Sequence, residues 1–399
     1  MTETPRHSQQ PPSGIKYWPT RLFFFFLKGL TRLPYSWLLG LGRAIGILMY
    51  HLANSRTRIA RVNIKKCFPQ MNEAAQEALV RKNLISTSIG MIETAILWFG
   101  PKRNWEDRFE INGLEHLENA LNEGKGALLL AFHLTSLEIG GSLLSTKCYL
   151  GALYRRNENP LIEHVMVKGR SQYVHSIPRE QTREMVKWLR NNGVVWYAAD
   201  QDYGRKQSVF VPFFNIPTAT ITATTRFTKL SKAPVIPMTQ TRIDGGKRIR
   251  IDIHSPFESM GQDEQQDAIK INQFLEKYLE THPEDYLWVH RRFKTRPSES
   301  DLSFYPTKKK NRPVTPERLK NILNVATDIK TENDRVTELK VDDSIVKFIY
   351  HSNFIDRKAK INRLLKTFDK ISDNGQEYYY QGRIRRCDSL KATLVYYEK

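Results

Sequence analysis

The stretch Gly126 to Gly141, GALLLAFHLTSLEIGG, ends an apolar run with His133 and places a carboxylate, Glu138, five residues later. An imidazole held by a carboxylate accepts a proton from a hydroxyl at its other nitrogen, and the carboxylate stabilises the cation that forms. That is general-base catalysis of attack by an alcohol. On one continuous helix five residues turn about 500°, roughly 140° from the starting face. The two side chains can therefore meet only if His133 lies outside a helix and Glu138 within its first turns. The sequence supplies that break: Ala127 to Phe132 reads as a short buried strand, and Thr135 or Ser136 is a natural N-cap for a helix from about Leu137 towards Leu144. The same letters also fit a capping box, Thr135-x-x-Glu138, with His133 a hydrogen-bonded histidine at a strand end.

The elements around this stretch read as one α/β domain. Strands are expected at Ala127 to Phe132, Tyr149 to Tyr154, Val194 to Ala199, Val235 to Thr239 and Arg248 to Ile253. Helices are expected at Asn72 to Trp98, Pro160 to Arg170, Glu180 to Asn191, Thr220 to Ser231 and Asp263 to Thr281. Strands alternating with helices favour a mostly parallel central sheet flanked by helices, whose ligand sites gather at strand carboxyl ends. His133, Arg155 and Asp200 all stand at such ends. Arg155 suits a phosphate or a pantetheine arm through paired hydrogen bonds, or else a structural bridge to Asp200 or Asp202. Arg170, Arg205 and Lys206 are further anion-binding candidates.

Composition narrows the partners. A net charge of +20 implies anionic ones: nucleic acid, a membrane surface, a phosphorylated lipid or an acidic protein. With no zinc-finger spacing, RNP-like aromatic pattern or Walker loop, nothing but charge speaks for nucleic acid, and no nucleic-acid partner is expected. Cys67, Cys148 and Cys387 lie far apart without metal-ligand spacing, which fits a reduced compartment and no structural zinc. From Tyr17 to His51 the chain is rich in Phe, Leu, Trp and Gly, but Lys28, Arg32 and Arg43 leave no window of about 18 uncharged residues. A spanning helix, a buried hairpin and an interfacial amphipathic segment are all compatible with it. No small-residue cleavage site follows a short apolar core, so a retained anchor is expected rather than a removed signal peptide. The cluster Arg56, Arg58, Arg61, Lys65 and Lys66 places the body on the cytoplasmic side.

The segments HLTSLE, RVNIKKCFPQM (Arg61 to Met71), IETAILWF (Ile92 to Phe99), LYRRNENPLIE (Leu153 to Glu163), VVWYAADQDYG (Val194 to Gly204), VFVPFF (Val209 to Phe214) and WVHRRFKTRP (Trp288 to Pro297) form an ordered series. In it the chain resembles the HX4D/E acyltransferases, and within them the late acyltransferases of lipid A biosynthesis, which carry lauroyl, myristoyl or palmitoleoyl groups. Arg156 and Ala199 stand where that family usually has proline. The resemblance implies an α/β acyltransferase body at 54–297 behind an N-terminal tail and membrane-anchoring helical segment at 1–53, in the bacterial inner membrane. It implies His133 and Glu138 as the catalytic pair, with Arg155, Arg170, Asp200, Asp202, Arg291 and Arg292 binding substrate, the last two over a glycolipid headgroup. The acyl donor would be an acyl carrier protein thioester. The acceptor would be a hydroxyl of a 3-hydroxyacyl chain on Kdo-bearing lipid IVA, with membrane lipids around it and no metal or organic cofactor. A glycerophospholipid acyltransferase would share the His/acid pair, and a non-catalytic lipid-binding membrane protein would share the anchor and the charge.

After Pro297 a Ser/Asp/Pro/Lys-rich linker at 298–318 leads into a basic extension at 319–399, read as small and α+β. It carries helical character near Lys358 to Lys370 and strands at Glu377 to Arg385 and Ala392 to Tyr397. No functional motif stands out there.

Overall fold

The computed structural model describes residues 11–52, 55–298, 301 and 303–305, together with the backbone of strands at 328–332, 335–341, 344–349, 371–373, 376–378 and 393–398. The chain divides into two compact units, Met1–Pro297 and Ser298–Lys399.

The first unit opens with four helices: α1 Trp18–Leu30, α2 Tyr35–His51, α3 Ser55–Cys67 and α4 Glu73–Phe99. Asn72 starts α4 by accepting from the Ala75 amide, which satisfies one of the first-turn donors. Helix α2 packs closely on α4 because its small residues leave room; a Cβ on Gly46 would lie 2.4 Å from the Ile85 Cα. Tyr35, Leu38 and Leu39 of α2 pack with Ile89, Ile92 and Ile96 of α4 in a core of their own. Among the described residues no single helix is long and apolar enough to cross a membrane.

Alternating strands and helices follow: β1 Phe109–Asn112, α5 Leu114–Asn122, β2 Ala127–Ala131, α6 Leu137–Leu144, β3 Leu150–Tyr154, α7 Pro160–Arg170, β4 Val174–Pro178, α8 Thr182–Arg190 and β5 Val194–Ala198. Next come the hairpin β6 Ser208–Phe213 and β7 Ile216–Ile221, helix α9 Ala223–Ser231, β8 Val235–Ile243, β9 Arg248–Ile253 and α10 Glu264–Thr281. The sheet has seven strands in the order β1-β9-β8-β2-β5-β3-β4. From β8 to β4 neighbours run parallel, β9 turns antiparallel to β8, and β1 runs parallel to β9. The mostly parallel α/β reading therefore holds, with one reversed edge pair. Strand β2 lies in the middle and is buried along its whole length, as expected of a parallel strand covered on both faces. The segments missed by periodicity were helices α3 and α5, strands β1 and β4 and the β6–β7 hairpin; β4 is short, ends in Pro178 and lacks a continuous apolar run.

In the second unit β10 Asp328–Glu332, β11 Arg335–Val341, β12 Ser344–Ile349 and β15 Thr393–Glu398 form an antiparallel sheet in the order β10-β11-β12-β15. The strands β13 Ile371–Asp373 and β14 Gln376–Tyr378 pair as a hairpin. The strand expected at Ala392 to Tyr397 is β15. That expected at Glu377 to Arg385 coincides with β14 only at its start; the remainder, and the helix expected near Lys358, fall outside the described residues.

Candidate active site

Parallel pairing of β2 with β5 sets Ala131 opposite Ala198, so the residues two places beyond each strand, His133 and Asp200, arrive side by side. His133 Nδ1 lies 2.9 Å from Asp200 Oδ1, and the His133 amide donates to both carboxylate oxygens at 3.1 Å. Asp200 is buried to 1% exposure, and the His133 side chain keeps 21%. Burial alone would raise the Asp200 pKa, but the His133 charge and hydrogen bonds outweigh it and hold the carboxyl below its ordinary range. An ionised Asp200 fixes the proton of neutral His133 on Nδ1, which leaves Nε2 as an acceptor.

Glu138 occupies the first turn of α6 as expected, but its carboxylate faces away from this pair. Oε1 accepts from Trp98 Nε1 at 2.8 Å, Arg170 Nε at 2.8 Å and the Tyr173 hydroxyl, while Oε2 accepts from Arg170 Nη2 at 2.7 Å. Burial opposes its ionisation, yet Arg170 and these donors hold its pKa below the usual value. The acid beside His133 is therefore Asp200 and not Glu138. Nor is there a capping box, because Ser136 is the N-cap of α6 and makes no side-chain cap bond, and Thr135 Oγ1 pairs with Ser86 at 2.6 Å and Arg242 at 2.9 Å.

The remaining expected positions divide by surroundings. Arg170 is consumed by Glu138, a bidentate pair with both side chains largely buried. Asp202 pins a loop, accepting from the Thr295 amide at 2.6 Å, the Thr295 hydroxyl at 2.7 Å and the Gly204 amide at 2.9 Å. Arg292, expected over a headgroup, is instead fully buried, donating to Ala219 O at 2.8 Å and to Thr220 Oγ1 at 3.2 Å, with its guanidinium over Phe213. Arg291 is half-buried. Arg155 is exposed and reaches Glu158 at 3.3 Å, so it bridges to neither Asp200 nor Asp202. Arg205 donates to Pro297 O and Arg296 O at 2.7 and 2.6 Å.

Two supports of the site escaped the sequence reading. Arg242, on β8, is locked by Glu93 of α4 and donates from Nη2 to Thr135 O at 2.9 Å, holding the loop that carries His133. The segment Asp285–Leu287 flanks the same loop: the Thr135 amide donates to Asp285 O at 2.6 Å, and the Leu287 amide donates to His133 O at 3.0 Å. The Tyr286 hydroxyl donates to Asp200 O at 3.1 Å. These contacts join residues from 86 to 154 positions apart in sequence, beyond the reach of periodicity or spacing. The only local signal was the aromatic run YLWVH at Tyr286 to His290.

A histidine held in one tautomer by a buried carboxylate, at the carboxyl end of a central strand, can take a proton from an alcohol. The comparisons with known proteins agree in kind. Residues 8–295 match the bacterial lipid A biosynthesis acyltransferase family. The lipid A biosynthesis palmitoleoyltransferase of Escherichia coli is 36% identical over 290 residues, covering 72% of this chain and 95% of that protein. A lipid A biosynthesis acyltransferase of Haemophilus influenzae is 36% identical over 296 residues, 73% of this chain and 94% of its own. The E. coli lauroyltransferase is 35% identical over 285 residues, 71% and 93%. The chain thus belongs to the bacterial lipid A biosynthesis acyltransferase family.

Proposed function

We propose that the protein transfers a fatty acyl chain from an acyl carrier protein thioester to a hydroxyl of a 3-hydroxyacyl chain on Kdo-bearing lipid IVA, giving an acyloxyacyl product. The observation that carries the chemistry is the His133–Asp200 pair, with Nδ1 engaged by the carboxylate at 2.9 Å. His133 Nε2 takes the hydroxyl proton as the oxygen attacks the thioester carbonyl carbon. The carbon–sulfur bond then breaks and the departing thiolate receives that proton from His133. General-base assistance of this kind is worth about 10² to 10⁴ in rate. Backbone amides at the start of the helix after His133 would be the natural donors to the oxyanion, but those of Leu134, Thr135 and Leu137 already donate to Phe132 O, Asp285 O and Leu134 O, so none of these three supplies that contact.

In this reading Glu138 keeps a supporting role: it holds Arg170 and Tyr173 in the layer behind α6. Arg155 is an exposed cation directly after β3, and it suits a substrate phosphate. For localisation, α1 supports attachment to a membrane surface, which in this reading is the cytoplasmic face of the inner membrane. Trp18, Leu22, Phe25 and Phe26 recur at helical spacing and are 56–72% exposed, the pattern of a helix lying in an interface. The test is mass spectrometry after incubating the purified protein with carrier-protein thioesters and either Kdo-bearing lipid IVA or a lysoglycerophospholipid. One acyl mass added to the glycolipid alone supports the reading. Acylation of the glycerolipid alone favours the other acyltransferase class, and no transfer leaves a lipid-binding role.

A further inference from the structure

We propose that Asn63 and Asn83 are positioning residues for the His133–Asp200 pair, acting through the main chain of Glu284–His290; this rests on that pair being the base, as argued above. Each asparagine is fully buried and spans two carbonyls of this segment with one amide nitrogen. Asn83 Nδ2, on α4, donates to Glu284 O at 2.9 Å and Tyr286 O at 2.6 Å. Asn63 Nδ2, on α3, donates to Trp288 O at 2.6 Å and His290 O at 2.7 Å. Four carbonyls, alternating along seven residues, are thereby tied to the helical layer.

The other edge of the segment holds the reacting groups. Asp285 O receives the Thr135 amide, Leu287 N donates to His133 O, and the Tyr286 hydroxyl donates to Asp200 O. The His133 loop thus hangs from the backbone of this strip and Asp200 from the side-chain hydroxyl of Tyr286 within it, and the two asparagines set where the strip lies. Sheet register brings His133 beside Asp200, but His133 and Asp200 both lie beyond the ends of their strands, where no ladder bond fixes them. The strip replaces the missing ladder. An isolated bridge between Leu134 and Tyr286 shows the same pairing in strand-like form. A buried carbonyl has a strong need for a donor, so each asparagine both fixes the strip and prevents an orphaned acceptor.

The experiment is a double-mutant cycle on the full chain, assaying acyl transfer from a carrier-protein thioester to Kdo-bearing lipid IVA in detergent micelles, with melting temperature measured for every variant. Asn83→Ala is expected to lower kcat at least about tenfold with KM for each substrate within about twofold, since small misplacements of reacting groups are costly. In an Asp200→Asn background the same substitution should cost at least about fivefold less, because groups that act as a unit are not additive. Tyr286→Phe removes a single hydroxyl and serves if Asn83→Ala does not fold; it should lower kcat by about threefold to tenfold and show the same non-additivity. Equal factors in both backgrounds, or wild-type kcat in either folded variant, would overturn the inference. Full activity of Asp200→Asn alone would refute the pair as the base and the inference with it, a failure recognisable because it appears without any change at Asn83.

Discussion

Asp200→Asn and Glu138→Gln remove one negative charge each from buried carboxylates, yet the geometry assigns them opposite consequences. The carboxamide introduced by Asp200→Asn can offer an N–H to His133 Nδ1, which moves the imidazole proton to Nε2 and abolishes the acceptor that faces the hydroxyl. The side-chain oxygen that remains can still accept from the His133 amide, now 3.1 Å from both carboxylate oxygens, so the loop loses little. The expected result is a fall in kcat of about 10² to 10⁴ with KM little changed, the size of general-base assistance with the wrong tautomer. Glu138→Gln instead leaves the Arg170 guanidinium, 17% exposed, without its anion. An uncompensated buried charge costs about 3–5 kcal/mol, which for a body of this size lowers the melting temperature by roughly 10 °C. Steady-state kinetics with the thioester and the glycolipid, beside calorimetry of each variant, separates the two. A Glu138→Gln protein that melts like wild type but loses more kcat than Asp200→Asn would refute the reasoning, because the acid that orients His133 would then be Glu138.

Three further outcomes are expected. Gly90→Ala places a Cβ 2.0 Å from Thr135 O and should cost about 1–3 kcal/mol and reduce kcat at least about tenfold, while Gly40→Ala, with nothing within 4 Å, should be neutral or stabilising in thermal melts. Burial, then the nearby His133, lowers the His290 pKa from 6.5 to about 4, so its unfolded form binds a proton first and it draws stability down as pH falls through that window; Asp285, raised by burial to about 6, acts in the opposite sense. Denaturant melts should therefore show wild type losing about 3 kcal/mol more than His290→Gln between pH 7 and pH 4, and parallel curves would contradict the assignment. A chain ending near residue 300 should keep acyl transfer, since His133, Asp200 and the Glu284–His290 segment all lie in the Met1–Pro297 unit; a folded but inactive truncation would place part of the machinery beyond it.

Much of the frame was legible because local pattern decided it. The apolar run before His133, the capping-type residues after it and the Asn-Pro start of α7 gave β2, α6 and α7 nearly residue for residue. The partner of His133 was not legible, because a five-residue spacing carries no information about lateral neighbours. That choice is made by the register between β2 and β5, which sets Ala131 against Ala198 and so brings together residues 67 apart in sequence. Asp200 was placed correctly at a strand end, but a carboxylate there reads equally as a ligand for substrate or for a histidine. Arg292 failed for a different reason: a run of cations suggests a solvated edge, and only the fold shows one guanidinium turned inward to Ala219 O and Thr220. The asparagines that hold the Glu284–His290 carbonyls share the buried faces of their helices, Asn63 with Ile59, Ala60 and Cys67 and Asn83 with Leu79 and Val80; periodicity marks such positions as buried but says nothing of which distant carbonyls they hold.

The central claim is that His133 acts as a base for esterification of a lipid A precursor. Its most direct test is the initial rate of ester formation, followed by glycolipid mass, for wild type and His133→Gln at equal concentration of folded protein. The reading requires one added acyl chain on Kdo-bearing lipid IVA with wild type and a rate lower by at least about 10² in His133→Gln at an unchanged melting temperature. A folded His133→Gln protein that forms the ester at the wild-type rate would contradict it.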